Sequence, residues 1–285
     1  MDRRLFLTTL ASGILVAGAA AVAANELGKA GLSPFSVLSD GRIGSGSPNI
    51  PSPRPTPTSS ITNETVFSRF AVPRLNRIPV PGGTISSLPG NEGLLALTVD
   101  DGASAETVKG YCDFVERTGF RMTFFVTSTY GAWDANKDQL RKLIESGHVQ
   151  MANHTSTHKA LTKVSDGEVV DELTGCESYL RNTFGVSGHP YFRPPFGYID
   201  DRVANIAAGL GYSTPVLWYG TFGDAGRCTP EQIQAMADQW LLPEHIVIGH
   251  ANFPPVLDCL NYIEAILHQR KLQPITLDDL YVRNA

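Results

Sequence analysis

The residues most suited to chemistry are two histidines four apart, in the run His154-Thr155-Ser156-Thr157-His158. On a helical turn, side chains at i and i+4 face the same way, so two imidazoles at this spacing grip one metal ion. Asp100 and Asp101 are adjacent carboxylates followed by Gly102. Neighbouring side chains on an extended chain diverge, so one carboxylate can ligate while the other points at a substrate. Gly102 has no Cβ and lets other groups approach the backbone closely. His-His-Asp is a usual donor set for an open zinc site, and cobalt or nickel also suit it. Arg193, Asp224 and His250 are the remaining candidates. The bland alternatives are capping or core histidines, a simple turn at Asp100-Asp101, a structural ion pair at Arg193 and a satisfied buried His250.

These residues need elements to position them. Leu94 to Val99 is a short apolar run that reads as a buried strand ending at Asp100-Asp101. Ser104 to Thr118 reads as a helix with Ser104 as N-cap and Gly119 past its end. Met122 to Thr127 and His148 to Ala152 are further strands, with a helix from Lys137 to Ser146 between them, and His154 and His158 follow the second strand. Ser165 to Phe184 carries a capping box at Ser165 and Glu168. Tyr191-Phe192 precedes Arg193. A helix from Asp200 to Leu210, a strand from Thr214 to Trp218, a helix from Pro230 to Trp240, the strand Ile246 to Ile248, a helix from Pro255 to Arg270 and a strand from Pro274 to Leu277 complete the series. Such alternation argues for a parallel α/β architecture, either a β/α barrel or an open doubly wound sheet. The polar candidates fall at strand ends, where barrel enzymes keep their working residues. No G-x-G-x-x-G follows a strand, which argues against a dinucleotide site.

Thr98-Val99-Asp100-Asp101-Gly102, His154 to His158, Arg193-Pro194-Pro195-Phe196-Gly197 and Ile248-Gly249-His250 resemble, in order and spacing, the motifs of NodB-homology polysaccharide deacetylases, the fourth carbohydrate esterase family. The resemblance runs from about Leu94 to Leu280. It implies a distorted (β/α) barrel of about seven units, with fewer repeats than the usual eight. It implies that Asp101, His154 and His158 hold a divalent metal, zinc first and cobalt or nickel as alternatives. By the same resemblance Asp100 is the general base, Arg193 orients it in company with Asp224, and His250 is the general acid. The implied reaction is removal of N-acetyl groups from a peptidoglycan- or chitin-type glycan. Ester deacetylation of a xylan, or metal-bearing carbohydrate binding without turnover, stay open as alternatives. A backbone N–H near Tyr198 is the expected oxyanion donor. One departure is Ala225 after Asp224, where the family pattern has Trp; Phe222 or Tyr219 is expected to replace that wall, or the groove is wider.

The rest of the chain bounds the setting. It has 285 residues, 42% hydrophobic and 18% charged, with net charge -5 and pI about 5.8. That balance gives no basic footprint for nucleic acid. Arg3-Arg4 followed by the apolar run Leu5 to Ala24 reads as a twin-arginine export signal over residues 1–23, with Ala21-Val22-Ala23 as the cleavage site. The alternative is a retained anchor, which would be the chain's one membrane contact. Residues 24–70 read as a Pro/Ser/Gly-rich linker and 71–285 as the catalytic domain. The expected location is outside the cell or at its wall. Cys112 and Cys176 read as small buried hydrophobes, whereas Cys228 and Cys259 are candidates for a disulfide.

Overall fold

The computed structural model describes residues 75–90 and 93–282. The expected signal and linker lie outside the described residues, as does the start of the 71–285 domain. The strands are β1 (Ile78–Pro79), β2 (Leu94–Asp101), β3 (Met122–Val126), β4 (Val149–Asn153), β5 (Tyr191–Phe192), β6 (Thr214–Pro215), β7 (Gly220–Thr221), β8 (Ile246–His250), β9 (Gln273–Pro274) and β10 (Tyr281–Val282). The helices are α1 (Ala105–Thr118), α2 (Ala132–Ala135), α3 (Lys137–Glu145), α4 (Asp166–Phe184), α5 (Asp201–Gly209), α6 (Pro230–Trp240), α7 (Leu260–Gln269) and α8 (Leu277–Leu280). No described helix is long and apolar enough to cross a membrane.

The main sheet runs β6-β5-β4-β3-β2-β8-β7 in space, with β9 added beside β2, and its pairings are parallel. β6 and β7 are two pieces of one run of chain. Val216 N still donates to Phe192 O of β5, and Tyr219 N already donates to Ile246 O of β8. The curled sheet therefore begins and ends on the same segment, which makes it a distorted barrel. The split also explains why the expected strand from Thr214 to Trp218 is short. The segment before β2 fills the seam: Ile85 pairs with Val216, and Ser87 pairs with His245.

Alternation along β2 assigns each side chain a destination. Leu95, Leu97 and Val99 face the helices, in a core with Val108, Phe124, Met151 and Val247. Leu94 and Ala96 face the barrel interior, with Phe125, Ala152, Tyr191 and Ile246. Thr98 and Asp100 continue that inner row upward. Register sets Asp100 beside His250 on one flank and Phe125 on the other.

Local signals built the helices as expected. Ser104 Oγ accepts from Thr107 N, and Gly119 ends α1 at φ 71°. Ser165 and Glu168 form a reciprocal capping box. Two further elements differ. The expected helix from Pro255 splits into a 3₁₀ stretch, Pro254–Cys259, followed by α7. The expected last strand from Pro274 to Leu277 is strand only at Pro274, in β9, and the chain turns into α8 at Leu277, because Thr276 and Asp279 form another capping box and Asp279 is anchored by Arg121 at 2.6 Å. All four cysteines are free thiols, so the candidate Cys228–Cys259 disulfide is not formed; Cys259 Sγ donates to Pro230 O at 3.3 Å instead. Cys112 and Cys176 are buried, as expected.

Phe125 ties the core to the site, since its buried ring lies under the Arg193 guanidinium at 4.1 Å. Phe125→Ala should lower unfolding free energy by about 3–5 kcal/mol in denaturant titration, the usual cost of a buried aromatic truncation. A loss below about 1 kcal/mol would contradict this account of the barrel interior.

Candidate active site

The site stands on the C-terminal ends of β2, β4 and β8 and on the loops after β5 and β7. At the end of β2 the chain changes hand: Asp101 has φ 73° and Gly102 has φ 95°. A left-handed aspartate costs about 1–3 kcal/mol and persists only where its surroundings over-determine it. Here they do. Trp133 Nε1 donates to Asp101 O at 2.8 Å, and Thr127 N donates to the same carbonyl at 3.2 Å. Asn252 Nδ2 donates to Asp101 Oδ2 at 2.6 Å. A Cβ on Gly102 would lie 2.2 Å from the Trp133 ring, so glycine is required there.

The turn brings Asp101 to the histidines. Its Oδ1 lies 3.3 Å from His154 Nε2 and 3.1 Å from His158 Nε2. His154 Nδ1 faces Arg193 O at 2.7 Å, which fixes the tautomer by donation to the carbonyl and leaves Nε2 as a lone pair. Asp101 Oδ1 is buried without a hydrogen-bond partner. Lone pairs thus converge from Asp101, His154 and His158, whose ligand atoms lie within 4.8 Å of one another. An orphaned carboxylate oxygen between two imidazole nitrogens fits a divalent cation. Without a cation, a proton competes for the place. Burial lowers the His154 pKa, but Asp100 and then Asp101 outweigh it and raise it above its ordinary value. Burial likewise opposes the charge on Asp101, yet His154 and His158 hold that carboxyl far below its usual range.

The histidine pair is not on a helical turn. Residues 154–160 are a loop, in which Thr155 (φ 71°) and His158 (φ 61°) are both left-handed. The strand β4 runs up to Asn153, and Asn153 Oδ1 accepts from Thr155 N at 2.8 Å, which turns the chain away from helix.

Asp100 faces the barrel axis, apart from this cluster. Arg193 Nη1 donates to its Oδ1 at 2.5 Å, while Oδ2 lies 3.5 Å from His154 Nε2. Arg193 is fully buried and also donates to Thr98 Oγ1, Val216 O and Leu217 O. Burial pulls the guanidinium pKa below its ordinary value, and Asp100 opposes that shift. The expected pairing of Arg193 with Asp224 does not form, because the barrel carbonyls and Asp100 take the guanidinium. Asp224 holds His250 instead: Oδ1 is 3.0 Å from Nδ1, and Oδ2 accepts from His250 N at 3.0 Å. Burial lowers the His250 pKa, but Asp224 prevails, with help from Asp100 and Asp101, and raises it to about 9.

The expected oxyanion donor is also engaged elsewhere, since Tyr198 N donates to Pro195 O at 3.3 Å. Neither expected replacement for the missing Trp stands beside the Arg193 loop. Phe222 is buried against Gly249, and Tyr219 packs with Trp240 and His245. Trp218 lies there instead, against Gly197 and 5.9 Å from the guanidinium. Phe196, half exposed at φ 62°, stacks edge-on against His158 at 4.8 Å. Trp133 and Asn252, which hold Asp101, carried no spacing signal in the sequence.

Residues 88–215 match the family model described as polysaccharide deacetylase, a span that includes Asp100, Asp101, His154, His158 and Arg193 and ends before Asp224 and His250. The chain is 38% identical to chitin deacetylase 1 of Cryptococcus neoformans over 43% of its own length but only 25% of the fungal protein. It is 29% identical to a chitooligosaccharide deacetylase of Bradyrhizobium, over 56% of this chain and 71% of that one. The chitin deacetylase structure from Colletotrichum lindemuthianum superposes with TM-score 0.63 at 23% identity, covering 72% of this chain and 94% of the other, a likeness of fold.

The His250–Asp224 pair has a measurable consequence. A pKa raised by folding adds stability that is complete below the unfolded value, near 6.5, and is lost as pH rises through the folded value. In metal-free protein, NMR titration should place His250 near 9, and Asp224→Asn should lower it, so that this stability is lost at lower pH. An unchanged His250 titration in Asp224→Asn would contradict the pairing.

Proposed function

We propose that the chain, whose residues 88–215 match the polysaccharide deacetylase family, is an exported, metal-dependent hydrolase of N-acetyl groups on a peptidoglycan- or chitin-type polysaccharide. The observation that carries the reading is the convergence of Asp101 Oδ1, His154 Nε2 and His158 Nε2, beside an Asp100 held separately by Arg193. Asp101, His154 and His158 would hold the cation, zinc by donor chemistry, with cobalt or nickel as alternatives. When bound, such an ion acts as a Lewis acid on water and on the acetyl carbonyl.

The chain's own residues supply the proton transfers. Arg193 occupies Asp100 Oδ1, leaving Oδ2 on the side of His154. Asp100 Oδ2 is therefore the base that takes a proton from the attacking water. Asp224 occupies His250 Nδ1, so Nε2 carries the proton that the departing amine requires. With its pKa raised to about 9, His250 holds that proton at neutral pH. The water oxygen adds to the amide carbon, the C–N bond breaks, and acetate and a free glucosamine nitrogen result. Arg193 and Asp224 act through the base and the acid, respectively. Two names support the substrate class: the chitin deacetylase and chitooligosaccharide deacetylase relatives. Export through the twin-arginine route, and a location at the wall, rest on Arg3-Arg4 and the apolar run after them.

Acetate release tests the reading. The protein should release acetate from chitooligosaccharides faster than from acetylated xylan, and a chelator should abolish the activity. Asp100→Asn should lose roughly a hundredfold or more in turnover while keeping its metal. Faster release from xylan would make the protein an esterase. Absence of release from either substrate by the metal-replete protein would leave a binding protein.

A further inference from the structure

The loop between His154 and His158 is strained in two places, at Thr155 and at His158. Thr155 is β-branched, and such residues are seldom left-handed. The loop's own bonds are few: Thr155 Oγ1 accepts from His158 N at 3.0 Å, and Asn153 Oδ1 accepts from Thr155 N. The β3 side adds Ser128 N to Thr155 O at 3.2 Å and Thr129 N to Ser156 O at 3.0 Å. Much of the remaining restraint comes from one residue of α4, Glu172.

Glu172 is 4% exposed. Its Oε2 accepts from Thr157 N at 2.7 Å, and its Oε1 accepts from Thr157 Oγ1. Its backbone carbonyl accepts from Ser156 N at 2.9 Å and from Ser156 Oγ at 3.1 Å. One residue thus takes four donors from the two residues that precede His158. Among the described residues its nearest cation, Lys159 Nζ, stands 3.9 Å from Oε1, beyond hydrogen-bond reach. The helix comes close enough for this because of Gly175, where a Cβ would sit 2.4 Å from Ser156 Oγ. Glu172 also lies on the apolar face of α4, between Val169 and Cys176, where a carboxylate is costly unless its bonds are needed.

We propose that Glu172 is a positioning residue of the metal centre: its carboxylate clamps Thr157 and so aims the His158 imidazole at Asp101 Oδ1. This rests on the metal reading above. A carboxylate suits the task because both oxygens accept, and the two donors of Thr157 lie on the same residue. Glutamine keeps one acceptor for Thr157 N, and its amide can donate to Thr157 Oγ1. It should therefore replace most of the clamp, whereas alanine should not.

The test is metal binding rather than turnover. Chelator-stripped full-length protein is titrated with zinc, and cobalt-loaded protein is examined for its visible d–d spectrum. Glu172→Ala should weaken zinc binding by roughly tenfold to a hundredfold, the scale of losses around ligand-orienting groups, and should alter the cobalt spectrum. Glu172→Gln should recover most of both. Thr157→Val, which removes only the hydroxyl donor, should give a smaller shift in the same direction and serves if Glu172→Ala does not fold. Folded Glu172→Ala, or failing that Thr157→Val, with wild-type affinity and spectrum would overturn the proposal. His158→Ala separates the two failures. If it also keeps full affinity, the metal reading is wrong; if it alone loses metal, only the role of Glu172 is wrong.

Discussion

Two neighbouring residues of a strand point to opposite faces, and this site needs both of its aspartates on one side. The left-handed turn at Asp101 resolves that conflict. Alternation carries Asp100 into the barrel mouth with Thr98 and Ala96, and it would carry Asp101 outward with Val99 and Leu97. Changing the hand of the backbone at Asp101, and again at Gly102, brings the second carboxylate back over the sheet edge to the histidines. The Trp133 indole, which fills the space a Cβ on Gly102 would need, locks the turn by donating to Asp101 O.

From that turn the separation of roles follows. Among the described residues, Asp101 Oδ1 meets imidazole nitrogens, and Asp100 Oδ1 meets a guanidinium. Arg193 is the rod that passes through the interior. It stacks on Phe125, takes two main-chain carbonyls where the barrel closes, and reaches Asp100 from below. A buried cation so placed is strongly destabilising if its partner is removed, which couples the integrity of the barrel seam to the base. On the far side Asp224 does the same for His250. The two carboxylate–cation pairs keep their protons apart: one carboxylate free to accept, one imidazole charged and free to donate.

Much of this was legible in the sequence because it is local. The helix caps at Ser104 and Ser165 and the stop at Gly119 follow from short-range chemistry. The residues at strand ends follow from motif order. What was not legible depends on distant partners. No spacing says whether Asp224 reaches Arg193 or His250, because the choice is set by Val216 and Leu217 presenting their carbonyls to the guanidinium. The spacing of His154 and His158 suggested a helix, yet a strand ending at Asn153 and its side-chain cap made a loop with the same outcome. Glu172 did leave a trace: an acid on the apolar stripe of α4, three residues after Val169 and four before Cys176. The split of one strand into β6 and β7 could not be read, since it arises from closing the sheet on itself.

The central claim is that adjacent aspartates divide into a ligand and a base. A crystal structure of the zinc-loaded protein, with anomalous scattering measured at the zinc edge, tests it most directly. The account predicts a single peak at about 2.0–2.2 Å from Asp101 Oδ1, His154 Nε2 and His158 Nε2, with Asp100 still on Arg193 and outside the coordination sphere. A peak ligated by Asp100, or seated between Asp224 and His250, would contradict it.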